Sequence, residues 1–269
     1  MLSDFTFGQF FPVDSGIHKL DARTKLLGTL AAIVLIFITQ NIWALFFAAI
    51  GILSVILFSK IPFKMYLKNL KFILPIIFLT TLINLFYIKD GNLLVDFYFI
   101  KITDYGIFRS VFMGSRVVLL ILVSAVLTYT TSPNDITDGL EKIFSPLKYI
   151  GLGKVVHTVT MMMTIALRFI PTLVEETVKI MNAQKARGAD FENGKLTAKV
   201  KAVIPILIPL LISSVRRAYD LAEAMESRCY NGGEGRTRLK QLKFTILDFF
   251  ALIFGVAMYV AVIAINIIL

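Results

Sequence analysis

A chain of 269 residues is long enough for one or two soluble domains, but 57% of it is apolar and only 17% charged, against roughly 45–50% and about 25% in ordinary soluble domains. Lysine and arginine nevertheless exceed aspartate and glutamate by 28 − 18 = 10. That excludes a simple soluble enzyme, which would not hide so much apolar surface, and a nucleic-acid binder, which would carry the charge without it; an integral membrane protein needs both, because basic residues collect on its cytoplasmic loops.

The first charge-free run extends from Leu26 to Ser59, between Lys25 and Lys60. It is too long for a single crossing of a roughly 30 Å hydrocarbon core. The polar patch Thr39-Gln40-Asn41 divides it into a hairpin of two spans, and Asp21 is placed to cap the first one, letting that helix begin before Leu26. A third span is predicted over Phe72 to Ile88, containing Pro75. A fourth runs from about Gly106 to Thr131 and carries Arg109 and Arg116. A fifth runs from Phe249 to Leu269. No cleavable leader is expected, since the first apolar run starts only after residue 25 and continues into a second span.

Charge sets the predicted orientation. Lys19, Arg23 and Lys25 precede the first span, and Lys60, Lys64, Lys68 and Lys71 lie in the predicted 59–71 loop. A further 17 basic residues fall between Ser132 and Asp248. The 89–105 loop has only Lys89 and Lys101, against Asp90, Asp96 and Asp104. The N-terminus and the 132–248 segment are therefore expected inside, and the 89–105 loop outside. The expected organisation is all-α and polytopic: a membrane region over 1–131 with four helices, a cytoplasmic region over 132–243, and a C-terminal membrane helix over 244–269.

The cytoplasmic region opens with Ser132-Pro133-Asn134-Asp135, a capping residue followed by proline at the first helical position and an acid at the positive helix end. Ile136, Leu140, Ile143, Phe144 and Leu147 then recur at helical spacing, giving a short amphipathic helix closed by Pro146 and Gly151. Two long, similar helices follow, over about Val155 to Arg187 and Lys201 to Arg228. Each begins apolar, holds prolines (Pro171; Pro205 and Pro209) and turns polar toward its end. The apolar halves are about 13 and 14 residues, below a spanning length. Bent helices lying along the membrane face fit better than two more spans.

The two endings match: Ala186-Arg187-Gly188 and Ser227-Arg228-Cys229, 228 − 187 = 41 residues apart. One arginine at a helix end is ordinary, since the last carbonyls lack partners and the dipole end is negative. Two at matched ends, each preceded by a small residue, suggest blunt plugs whose guanidinium forks enter grooves on soluble partners. Glu175-Glu176 and Arg216-Arg217 sit at equal distances, 12 and 11 residues, before these arginines, so the helices would pair opposite charges if they crossed there.

Together these residues resemble the transmembrane coupling subunit, or T component, of energy-coupling factor (ECF) transporters. The marks are the run from Ser15 to Lys25, Ser132-Pro133 with Leu140-Glu141 and Ser145-Pro146-Leu147, then Arg168-Phe169-Ile170-Pro171 and Ala183 to Gly188. Two positions depart: Ala22 stands where the family usually has proline, and Cys229 where the first motif has Gly188. The resemblance implies three coupling helices, two of them long and crossed, whose arginine motifs dock on two ATP-binding-cassette ATPases. It implies that their apolar faces hold a substrate-binding membrane subunit, the S component, that releases a vitamin or other micronutrient inside a bacterial cell.

On that reading the chain is not an enzyme and binds no cofactor or metal; ATP and Mg²⁺ belong to the partner ATPases. It agrees that no Walker-type Gly-x-x-x-x-Gly-Lys sequence is present. Met161-Met162-Met163 with Pro205 and Pro209 form the expected S-component surface, methionine being adaptable to varied partners. Asp21, Arg23, Arg168 and Pro171 are expected structural anchors. Basic residues meet lipid headgroups, and nucleic acid is not a partner. His18 and His157 are isolated, without metal-ligand spacing, and the single cysteine excludes a disulfide framework. The alternatives are a T component dedicated to cobalt, nickel or biotin, a self-contained secondary transporter, and a membrane enzyme. The last would want paired aspartates in or beside the spans, which are nearly free of carboxylates.

Overall fold

The computed structural model describes residues 10–87, 92–97, 100–189, 196–232 and 243–268. The chain divides into two compact units with the boundary between Gly139 and Leu140.

The first unit holds α1 (Ala22–Ile38), α2 (Ile42–Ser59), α3 (Phe63–Tyr87), α4 (Asp104–Thr130), the start of α5 (Pro133–Phe144), and α8 (Ile246–Ile268). The Thr39-Gln40-Asn41 patch does separate α1 from α2, because Thr39 and Asn41 both take extended conformations there. α4 is the central helix, packing on α1, α2 and α3, while α8 packs on α1 and α2. The core between them is built from Ile36, Leu45, Ile52, Phe112, Val123 and Val126. At Gly51 a Cβ would lie 2.3 Å from the Met258 Cε, so glycine there lets α2 and α8 approach.

α1 and α8 run parallel and are matched at both ends. Asp21 meets Asp248 at one end; at the other, the Gln40 N–H donates to the Asn266 Oδ1 at 2.9 Å. The offsets, 248 − 21 = 227 and 266 − 40 = 226, agree within one residue. Both helices therefore cover the same rise, about 27 Å.

Among the described residues, five helices are long and apolar enough to cross a membrane: α2, α3, α4, α8 and α6 (Gly153–Ala186). This set differs from the sequence expectation in two ways. α1 has 17 residues, the lower limit for a span, but its end-to-end match with α8 gives it the same reach. α6 enters because it is one unbroken 34-residue helix through Pro171; its most apolar stretch has a mean hydropathy of 1.3, against 1.9–2.5 in the others.

Two further differences are local. α3 begins at Phe63, so Lys64, Lys68 and Lys71 lie on a helix and not in a loop; lysine, leucine and methionine are good helix formers, and Pro62 sits just ahead of the first turn. Between α3 and α4 a short antiparallel hairpin forms, β1 (Leu93–Phe97) with β2 (Ile100–Thr103), pairing Val95 with Ile102 and Phe97 with Ile100. Its β-branched and aromatic residues fit a strand, while the other elements among the described residues are helical as expected.

Ser132 caps α5 as the sequence indicated. Its hydroxyl accepts the Asp135 N–H at 3.2 Å and donates to the Asp135 carboxylate at 2.7 Å. The second unit continues with a 3₁₀ turn at Ser145–Ile150, then α6 and α7 (Leu196–Glu226).

Candidate functional site: two matched helix ends

α6 and α7 run unbroken through their interior prolines, and both stop by the same mechanism. At the end of α6 the Gly188 N–H donates to the Lys185 carbonyl and the Ala189 N–H to the Gln184 carbonyl, both at 3.0 Å, with Gly188 left-handed at φ +87°. At the end of α7 the Cys229 N–H donates to the Glu226 carbonyl at 2.9 Å and the Tyr230 N–H to the Met225 carbonyl at 3.0 Å. These are the paired 5→2 and 6→1 bonds of a Schellman ending. Arg187 and Arg228 occupy the same cap position, and both are exposed.

Cys229 takes φ +54° to complete this geometry. The missing glycine therefore does not change the shape of the second end. It leaves a side chain in the left-handed region, where an L-residue costs roughly 1–2 kcal/mol.

The expected crossing contact is present as one pair. The Arg217 Nη2 donates to the Glu176 Oε2 at 2.5 Å, with both side chains mostly buried. The spacing is 217 − 176 = 41, the same as between Arg187 and Arg228. Each arginine-bearing end thus stands 11 residues beyond the crossing, an arm of about 16 Å.

α7 runs back along α6 from this point. Leu173, Phe169 and Ile165 face Ala218, Leu221 and Met225 in turn, lining a groove of about 270 Å³. Beyond it the Tyr230 hydroxyl donates to the Met161 Sδ at 2.9 Å. The two ends consequently point away from the crossing in opposite directions.

The apolar halves of both helices are largely uncovered within this unit. On α7, Ile204, Leu207, Ile208, Leu211 and Ile212 are exposed around Pro205 and Pro209. On α6, Met162 and Met163 are exposed, whereas Met161 is the partner of Tyr230. Arg168 and Pro171 are also exposed on α6. His157 is paired with Glu141 at 3.4 Å, and no group of three or more metal-ligating side chains occurs among the described residues.

Asp21 and Arg23 lie in the other unit. Asp21 caps α1 by accepting the Arg23 N–H at 2.9 Å, and its fully buried carboxylate takes the Arg23 Nη2 at 2.8 Å. Arg23 also lies over the Phe244 ring at 5.7 Å. The sequence reading missed Asp248 as their counterpart; the Thr245-x-x-Asp248 spacing of a capping box was the available signal.

Arg116 gains its partner from the end of α1. Its Nη2 donates to the Thr39 carbonyl, and its guanidinium lies 4.8 Å from the centre of the Phe112 ring. A helix C-terminus offers an unsatisfied carbonyl and the negative end of the dipole, which suits a cation deep in an apolar helix pair. His18 donates through Nε2 to the Phe11 carbonyl at 2.9 Å, and the Nδ1 of the neutral ring accepts the Ser15 hydroxyl at 2.6 Å.

Residues 14–239 match the family model described as cobalt transport protein, CbiQ. Among curated proteins, the chain is 48% identical to the energy-coupling factor transporter transmembrane protein EcfT of Clostridium kluyveri over 93% of each chain. It is 47% identical to the protein of the same name from Ruminiclostridium cellulolyticum, over 92% of each. With the Bacillus subtilis protein of that name it shares 40% identity, over 92% of this chain and 93% of the other.

Proposed function

Since the chain belongs to the CbiQ family and is a T component of an energy-coupling factor transporter, we propose that it carries motion from two partner ATPases to a substrate-binding S component. The observation that carries this reading is the matched pair of helix ends: the same Schellman cap, the same exposed arginine and the same 11-residue arm from the Glu176–Arg217 crossing. Two like sockets on two like partners would receive such a pair. Each arginine presents a planar fork to carboxylates in its socket.

On this proposal residues 132–243 form the cytoplasmic coupling region, and the N-terminus is cytoplasmic in a bacterial plasma membrane. α6 and α7 act as rigid rods joined at the crossing, so displacement of either end by an ATPase rotates its apolar half. Those halves, including Met162, Met163, Pro205 and Pro209, form the seat of the S component. ATP and Mg²⁺ are held by the ATPases, and the present chain supplies no catalytic group.

The uptake of vitamins or related micronutrients through exchangeable S components fits the resemblance to the EcfT proteins. A dedicated cobalt system is the second reading, favoured by the family model's description. Gentle solubilisation of the tagged chain from its native host distinguishes them. Two ATPases with several small membrane proteins support the shared system, and two ATPases with one invariant membrane partner support the dedicated one. Recovery of the chain without ATPases overturns both.

A further inference from the structure

α3 begins before its apolar stretch does, and its first turns carry three lysines. Lys64, Lys68 and Lys71 follow a 4,3 spacing that confines them to about 60° of arc at 3.6 residues per turn. All three are exposed, as is Lys60 at the left-handed residue that ends α2. The opposite face of the same turns is fixed in the fold. Tyr66 is fully buried, packed edge-to-face on Tyr129 at 5.3 Å, with its hydroxyl 3.2 Å from that of Ser59. The lysine ridge is thus held on a rigid base and turned outward.

Two features identify what it faces. Exposed Leu67 and Phe72 flank the ridge on either side, and the helix continues through Leu74, Ile76 and Phe78 with its apolar side chains uncovered. Such a surface is solvated by acyl chains, with long lysine stems reaching toward the headgroups. The sequence has no acidic residue between Asp21 and Asp90, and among the described residues no ion pair engages these four lysines.

We propose that Lys60, Lys64, Lys68 and Lys71 form a binding site for the headgroup of an anionic phospholipid at the α2–α3 corner. Phosphate oxygens take the lysine ammonium groups, and the acyl chains lie along Leu67, Phe72 and the apolar face of α3. A lysine near an anionic membrane surface contributes enough for about a fivefold change in binding. This site does not depend on the coupling proposal.

The test is native mass spectrometry of the full chain in detergent, titrated with dioleoylphosphatidylglycerol or dioleoylphosphatidylcholine. The expected result is retention of the anionic lipid at least about tenfold more tightly. In the Lys64→Gln, Lys68→Gln, Lys71→Gln variant that preference falls to about twofold or less, whereas a charge-matched Lys142→Gln, Lys148→Gln, Lys154→Gln variant keeps it. All six lysines sit away from the cores of the units, and helical content by circular dichroism verifies folding. Equal binding of the two lipids, or equal loss in both variants, overturns the site. So does displacement of the lipid by inorganic phosphate at equal concentration, which would mark a soluble ligand. Unchanged lipid preference with loss of a co-purifying protein would assign the ridge to a protein partner and likewise overturn it.

Discussion

The backbone N–H of Asp21, at the start of α1, donates to the fully buried carboxylate of Asp248, in the first turn of α8, at 2.7 Å. The other oxygen of Asp248 accepts the Thr245 N–H at 2.8 Å and the Thr245 hydroxyl at 2.6 Å. One carboxylate therefore closes the capping box of α8 and ties it to a helix 227 residues away. With Asn266 holding Gln40 at the far end, the two contacts fix the relative register of α1 and α8.

Removing that carboxylate leaves buried donors unpaired. Asp248→Ala is expected to destabilise the chain by about 2–4 kcal/mol, the cost of orphaning two backbone N–H groups and losing a helix cap. Asp248→Asn keeps a carbonyl acceptor and should cost about half as much. Thermal unfolding in detergent, followed by circular dichroism, measures both. Equal stability of wild type and Asp248→Ala would show that the tie contributes nothing.

The two helix ends differ in a single conformational demand. Cys229 adopts φ +54° where the first end has Gly188 at φ +87°. Cys229→Gly should therefore stabilise the end of α7 by about 1 kcal/mol, and Gly188→Ala should destabilise the end of α6 by a similar amount. Amide hydrogen exchange at Tyr230 and Ala189 reads each end locally. Opposite signs in the two variants are the expected result; a loss of protection in Cys229→Gly would contradict the strain argument.

What the sequence made legible and what it hid follow from the range of each interaction. The Thr39-Gln40-Asn41 break, the Ser132 cap and the matched ends of α6 and α7 are local or periodic features, and each was readable from neighbouring residues. The Glu176–Arg217 pair was readable because equal spacing from two motifs acts as a ruler. Asp248 was not linked to Asp21, because that bond spans 227 residues and nothing in either segment names the other. The Thr39 carbonyl as the partner of Arg116 was invisible for a different reason: a backbone acceptor leaves no side-chain signal. The early start of α3 was missed because its lysines read as a loop when charge alone is used to bound a span.

His18 gives a pH dependence whose sign is fixed by its surroundings. Burial is the main influence lowering its pKa below the ordinary 6.5, and the Lys25 ammonium adds to it, against the opposing bond to the Phe11 carbonyl. The folded state thus prefers the neutral ring, and the unfolded state binds a proton first as pH falls. Its contribution is complete above about pH 6.5 and is lost as pH drops through that value toward the lower folded pKa. Wild type should lose more thermal stability than His18→Gln between pH 7.5 and 5.5, on the order of the usual histidine range. An identical loss in both would remove His18 as the cause.

At the helix ends, Arg187→Glu and Arg228→Glu replace a fork donor with a carboxylate, which on the docking proposal would meet the carboxylates of its socket as a like charge. Each should lower ATPase recovery with the tagged chain by at least about tenfold, since an unpaired like charge at a docked contact is costly. Because both side chains are exposed, the fold itself should unfold at an unchanged temperature. Full recovery of ATPases by the double variant, with transport intact, would refute the docking role.

The crossing is the remaining point at which structure and coupling can be separated. Glu176 and Arg217 meet at 2.5 Å while the second Arg217 terminal nitrogen is buried without a partner, so the pair gains its value from position more than from complete satisfaction. Partial exposure of both side chains, 30% and 21%, screens the interaction and keeps it below that of a fully buried pair. Glu176→Arg or Arg217→Glu alone places like charges at the contact and should destabilise the α6–α7 pair by about 1–3 kcal/mol. The double reversal restores an opposite pair and should recover most of that, giving a coupling energy of about 1–2 kcal/mol. A disulfide-trapping or spin-label distance between the ends of α6 and α7 checks the geometry directly: the single variants should broaden the distribution, and the double variant should narrow it again. If ATP-driven uptake falls in the singles and returns in the double while ATPase recovery stays constant throughout, the crossing is a pivot for transmitted motion. If uptake is indifferent to all three variants, the two helices do not need a fixed crossing to couple.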